Sequence, residues 1–114
     1  MLDQFRNLAQ LGPMMAKARE MQQKMEEVKA RIPDLRGTGS AGGGMVTATA
    51  SGAMEILKVE FSREALAGDA ELLADMTRAA VNQAIHNVQE QVEKQMTEAA
   101  GGLDLGALKG MLGG

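Results

Sequence analysis

Five basic side chains between residues 17 and 31 have the types and spacing to do chemistry. With Met14, Met21 and Val28 at heptad position d, Lys17, Lys24 and Arg31 all fall at g. They repeat every seven residues along one flank of a helix, about 10 Å apart. Lys29 lies at e on the other flank and Arg19 at b. A row of cations at this spacing suits contacts to phosphates, which supply affinity without reading bases. It also suits a solvated helix face. Glu20 and Glu27 fall at c beside the g row, and Glu20 to Lys24 is the favourable i,i+4 order. The pattern alone leaves both readings open.

Other candidate chemistry is weak. Gly42-Gly43-Gly44 is not a phosphate loop, because no Lys follows and the next element reads as a strand rather than a helix. His86 is the only histidine. Its helical neighbours Gln83, Asn87 and Glu90 are polar, but no metal-ligand spacing surrounds it. There is no cysteine, hence no thiolate site and no disulfide framework. The carboxylates Glu90, Glu93 and Glu98 read as a solvated face. No catalytic set is present, so a non-enzyme with no metal, no cofactor and no small-molecule substrate is expected. The only aromatics are Phe5 and Phe61. Base stacking is therefore not the expected mode of any nucleic-acid contact, and duplex DNA held by its backbone is.

These side chains must be placed by a small number of elements. Residues 1–12 read as weakly helical, ending at Gly12. Pro13 fits the first turn of a helix running to about Ile32, where Pro33 stops it. Its apolar positions Met14, Ala18, Met21, Met25, Val28 and Ile32 step by 4, 3, 4, 3 and 4, a coiled-coil-like seam. Leu35 to Ser40 reads as a short edge strand, weakened by Gly37 and Gly39. A hairpin follows, with Val46, Ala48 and Ala50 alternating with Thr47, Thr49 and Ser51. Gly52 is expected to supply a positive φ at its turn. Leu57, Val59 and Phe61 are expected to seat the helices, and Met54 and Ile56 to face the other way. Arg63 to Ala67 reads as one helical turn closed by Gly68. A second long helix starts at Asp69, its cap, and carries the ridge Leu73, Met76, Ala80, Ala84, Val88, Val92, Met96 and Ala99. The expectation is an α+β chain with one domain over 1–100 (helix about 13–32, sheet about 35–61, helix about 69–100) and a Gly-rich tail over 101–114, where Leu105, Leu108 and Leu112 have helical spacing.

Length and charge narrow the function. A 114-residue chain with 2% aromatics has material for only a thin core. The second helix, at about 45 Å, outruns a strand of about 26 Å. Its apolar ridge therefore asks for a second copy. Met54, Ile56, Val88, Val92 and Met96 are the expected contacts. The net charge is −3, which by itself argues against nucleic acid. The charge is segregated, however. Residues 1–37 hold seven basic against five acidic groups, and residues 62–100 hold three against seven. No apolar run reaches the roughly 20 residues of a membrane span. The first residues, with Asp3 and no sustained apolar run, do not read as a signal peptide. A cytoplasmic protein without a membrane partner is expected.

Several stretches, in order, resemble the YbaB/EbfC family of bacterial nucleoid-associated proteins. They are Lys17-Ala18-Arg19-Glu20-Met21-Gln22-Gln23-Lys24-Met25, Gly42-Gly43-Gly44-Met45-Val46, Ser51-Gly52 and Val59-Glu60-Phe61, then Asp69-Ala70-Glu71-Leu72-Leu73-Ala74-Asp75-Met76 and Ala79-Ala80-Val81-Asn82-Gln83-Ala84. The resemblance covers about residues 13 to 99. It implies an α-β-β-β-α protomer, a tweezer-like homodimer, and binding to double-stranded DNA with little sequence preference on the nucleoid. Carried onto this chain, it implies DNA contacts from Lys17, Arg19, Lys24, Lys29 and Arg31, and more loosely from Arg36. Ser62-Arg63 stands where the family often has Asp-Pro. The acidic second helix leaves only Arg78 and Lys94 as contacts from that element. The competing expectation is a non-enzymatic interaction module that uses the Met-rich seam and the Gly/Leu tail.

Overall fold

The computed structural model describes residues 2–101, apart from the side chains of Leu2, Asp3 and Arg6. The expected Gly-rich flexible tail, with Leu105, Leu108 and Leu112, lies outside the described residues from residue 102 on. The elements are α1 (Leu2–Arg31), a 3-10 turn (Ile32–Asp34), β1 (Arg36–Ala41), β2 (Val46–Ser51), β3 (Ile56–Phe61), α2 (Arg63–Ala67) and α3 (Ala70–Ala99). The class is α+β, with two long helices flanking a three-stranded sheet in chain order, as expected. The chain divides into two compact units. Among the described residues, one comprises α1 as far as Ala30 with residues 96–101, and the other is Arg31–Gln95.

In the second unit the strands run antiparallel in the order β1-β2-β3. Gly37, Gly39 and Ala41 stand opposite Ala50, Ala48 and Val46, and Val46 and Ala48 stand opposite Phe61 and Val59. The core forms where the Val46, Ala48 and Ala50 face meets Met76, Ala80, Ala84 and Val88 of α3, with Ala65 of α2 closing it. The α3 residues recur every four positions, so one ridge of the helix lies along the sheet. Alanines on that ridge and glycines on β1 let the two backbones approach unusually closely. A Cβ added at Gly37 would stand 2.6 Å from the Ala84 carbonyl oxygen, and one at Gly39 would collide with the Ala80 carbonyl and the Ala84 amide. Both glycines are buried. They do not weaken an edge strand here; they set the thickness of the core.

The same approach brings polar side chains of α3 onto the outer edge of β1. Gln83 Oε1 accepts from the Ser40 amide at 2.6 Å, Asn87 Nδ2 donates to the Thr38 carbonyl at 2.6 Å, and Gln91 Nε2 donates to the Arg36 carbonyl at 2.7 Å. Backbone groups that an edge strand would leave to solvent or to another chain are thereby bonded within the protomer.

Three expectations are revised. First, Gly52 does not take positive φ; Met54 does, at 63°. The turn is a three-residue connection whose last residue is left-handed, closed by Ser51 N–H to the Glu55 carbonyl at 2.8 Å. Gly52 is needed for another reason, since a Cβ there would run into the Ile32 carbonyl. Second, of Leu57, Val59 and Phe61 only Val59 packs against the core; Leu57 is 48% and Phe61 41% exposed. The small residues of β2 fill that role, and a register shift at Thr49/Ala50 brings Ile56 rather than Leu57 opposite Ala50. Third, α1 continues through Gly12 and Pro13 instead of starting there. Every described side chain from Gln4 to Glu20 is exposed, so water can serve the carbonyl that proline leaves without a donor.

The caps match their residues. Ser62 Oγ accepts from the Ala65 amide at 3.1 Å at the start of α2, and Asp69 Oδ1 accepts from the Glu71 amide at 3.3 Å before α3. Ser62 therefore supplies in this chain a helix start of its own. Gly68 ends α2 with its amide donating to the Ala65 carbonyl.

Candidate nucleic-acid interface

α1 positions four of the six expected DNA contacts in the first unit. Lys17, Arg19, Lys24 and Lys29 are all exposed. Lys24 pairs with Glu20 at 3.5 Å, in the i,i+4 order expected, with both side chains more than half exposed. Such a pair contributes little to stability and is readily exchanged for another anion. Lys17, Arg19 and Lys29 have no hydrogen-bonding or ionic partner among the described residues. Arg31 and Arg36, also exposed, belong to the second unit. Arg36 Nη1 donates to the Pro33 carbonyl at 2.8 Å and the Leu35 carbonyl at 2.9 Å, so part of its guanidinium closes the 3-10 turn. Its remaining N–H groups border a groove with Thr38, Asn87, Glu90, Gln91 and Lys94.

Lys17 and Lys24 have a location that sequence reasoning missed. With Glu20 and Met21 they line a groove whose other wall is Ala99, Ala100 and Gly101, the C-terminal end of α3. That end has no basic residue in its last turn. The final carbonyls of a helix carry partial negative charge, and two lysines line the groove at that end. Lys24 thus pairs with an acidic neighbour and lines the same groove as a helix end. The one available signal was the absence of any cation near Ala99 in the chain itself.

The seam of α1 buries unevenly. Val28 is buried and Met25 half-buried, whereas Met14 and Met21 are exposed. Toward the N-terminus Phe5, Leu8, Leu11, Met14 and Met15 form a run of exposed apolar residues. Among the expected partner contacts, Met54 and Ile56 are exposed and Val92 and Met96 half-buried. Val88 is fully buried within its own chain, packed where β1 has Gly37, and offers no surface to a second copy.

Gly42, Gly43 and Gly44 form the β1–β2 turn, all at positive φ. They join two strands and are not followed in the chain by a helix, as a phosphate loop requires; Gly43 and Gly44 share a groove with Ser62, Arg63 and Glu64 at the start of the five-residue α2. His86 Nε2 meets Glu90 at 3.1 Å on the exposed side of α3. Gln83 and Asn87, read above as its neighbours, bond β1 instead. Among the described residues no three His, Cys, Asp or Glu side chains gather to hold a metal ion, and no helix is long and apolar enough to cross a membrane. Arg78 is paired with Asp75 at 3.3 Å.

The fold has a solved counterpart. The crystal structure of an uncharacterized protein from Helicobacter pylori superposes with a TM-score of 0.55 at 24% identity, over 73% of this chain and 85% of that one. At that identity the likeness concerns the fold. The sequence profile of the YbaB/EbfC DNA-binding family matches residues 6–103, from the first turns of α1 past the end of α3. The match spans most of the chain, which therefore belongs to the YbaB/EbfC DNA-binding family.

Proposed function

We propose that the protein is a nucleoid-associated, homodimeric DNA-binding protein of the cytoplasm. It holds duplex DNA through backbone phosphates with little sequence preference, and so organises the nucleoid or regulates gene expression. Family membership carries the DNA partner. The observation supporting the mode is the set of exposed cations on α1, of which Lys17, Arg19 and Lys29, on different flanks, have no anionic side-chain partner among the described residues. With two aromatic residues in the whole chain, stacking on bases has little material. Phosphate contact is what remains for the cations to do.

The test is an anisotropy titration of the full chain on duplex DNA across a salt series. Log affinity should fall linearly with log salt, each phosphate contact adding about 0.9 to the slope. Replacing Lys17, Arg19 and Lys29 with Ala should flatten that slope on every duplex alike. No binding at low salt overturns the proposal.

One observation favours a second reading, a protein-interaction module: the exposed Phe5, Leu8, Leu11, Met14 and Met15 of α1. In that case polar substitutions at Phe5 and Leu8 would abolish capture of a partner protein and leave DNA affinity unchanged.

A further inference from the structure

The outer half of α1 is a helix with nothing packed on it among the described residues. Every described side chain from Gln4 to Glu20 is exposed, among them Phe5, Leu8, Leu11, Met14 and Met15. A helical stretch of that length is marginal in water without packing. This one also carries Gly12 and Pro13, the two poorest helix residue types. Leu8, Leu11 and Met15 are spaced by three and four, so they share one face. An apolar partner along that face would hold the helix together.

The same chain carries such a partner to a point beside it. The Gly101 amide donates to the Glu98 carbonyl at 3.1 Å, and Gly101 has φ of 77°. A left-handed residue there turns the backbone out of α3. Ala99, Ala100 and Gly101 share a groove with Lys17, Glu20, Met21 and Lys24, so residue 102 follows on from the inner limit of the bare face. The thirteen residues from Gly102 to Gly114 include Leu105, Leu108 and Leu112. They too are spaced by three and four, and each set spans seven residues, about 10 Å of helix.

We propose that residues 103–112 form a short helix lying antiparallel on the outer half of α1 of the same chain. Leu105 lies beside Met15, Leu108 beside Leu11 and Leu112 beside Leu8. The groove sets this register. Four residues lead on from Gly101 to Leu105 and five lead back from Glu20 to Met15, about 6 and 8 Å of helix. Charge agrees with the direction. Asp104 is the only acidic side chain after Gly101, and it arrives at the Lys17 end, where Lys17 has no anionic side-chain partner among the described residues. Gly106 and Gly110 make the segment a poor helix alone, so it takes its form on α1. The docked segment covers the apolar surface that the second reading offers to a partner protein. It is independent of how the chain holds DNA.

Two measurements on the full chain test it. In hydrogen exchange read by mass spectrometry, L105E/L108E/L112E should speed exchange of the amides between residues 8 and 16 about tenfold. Exchange in β2, which lies in the core, should stay as it was. Unchanged exchange in α1 overturns the proposal, and so does an equal rise in β2. In this cysteine-free chain, L11C/L108C should oxidise to a crosslink within one chain, which runs at monomer mass on a denaturing, non-reducing gel. A crosslink between two chains assigns the face to the tail of a second copy, and no crosslink leaves it to some other partner; either result overturns the proposal. None of the substituted positions belongs to the described core, so the fold is expected to survive both sets of changes.

Discussion

Asn87 Nδ2 donates to the Thr38 carbonyl at 2.6 Å, tying the middle of α3 to the middle of an edge strand 49 residues away in sequence. Gln83 and Gln91 do the same one helical step to either side. Asn87→Ala removes the central bond and should lower stability by about 1 kcal/mol. Urea denaturation at fixed protein concentration measures it. Gln83→Ala, at an exposed side chain, should cost less because water can replace it.

Gly39 lies under the α3 backbone, where an added Cβ collides with the Ala80 carbonyl and the Ala84 amide. Neither is a flexible side-chain end that could give way. Gly39→Ala should therefore cost about 3 kcal/mol or prevent folding. Gly43→Ala is the control. It meets nothing within 4 Å but has φ of 67°, so it should cost only the left-handed penalty of about 1 kcal/mol. Thermal melts of the two variants should separate clearly.

Met54 occupies the left-handed position of the β2–β3 turn and is exposed. Met54→Gly relieves a backbone penalty of about 1–2 kcal/mol while adding unfolded-chain entropy. The expected net is a gain of up to about 1 kcal/mol, read as a higher urea midpoint. Loss of stability would place Met54 in a contact that outweighs its backbone cost.

Lys24 separates folding from binding. Its pair with Glu20 is exposed, and Lys24→Ala should change stability by no more than about 1 kcal/mol. On duplex DNA the same change should lower the salt slope by about 0.9. Lys24→Glu should go further and reduce affinity at every salt concentration. A Lys24→Ala variant with wild-type salt dependence would take this side chain out of the DNA contact and leave it its place beside the end of α3.

Much of the architecture was legible because it rests on periodicity. The 3.6-residue ridge from Met76 to Val88 and the period-two alternation of Val46, Ala48 and Ala50 each name the side that is buried, and both form the core. Asp69 sits where capping chemistry works, whereas the Ser62 cap of α2 was not read from the sequence. The turn was misplaced because Gly52 has two possible uses. A sequence shows that a position lacks a Cβ, but whether this serves φ or clearance depends on a carbonyl, that of Ile32, 20 residues away. Gly37 and Gly39 misled for the same reason, since only the packed α3 backbone makes them necessary. The start of α1 was missed because Gly12 and Pro13 are poor helix residues locally, and exposure made their cost tolerable. For the basic row, heptad position showed which cations share a flank. The groove that Lys17 and Lys24 share with Ala99 and Gly101 joins residues far apart in sequence, which no spacing within α1 encodes.

The amide ladder on β1 also bears on how far strand pairing can spread. A sheet open at both edges can add copies without limit, each new chain presenting a fresh edge to the next. Here Gln83, Asn87 and Gln91 occupy the Ser40 amide and the Thr38 and Arg36 carbonyls on one side. A strand added there would first have to displace these three bonds, so the same side chains that hold β1 in place also discourage fibre growth along that edge.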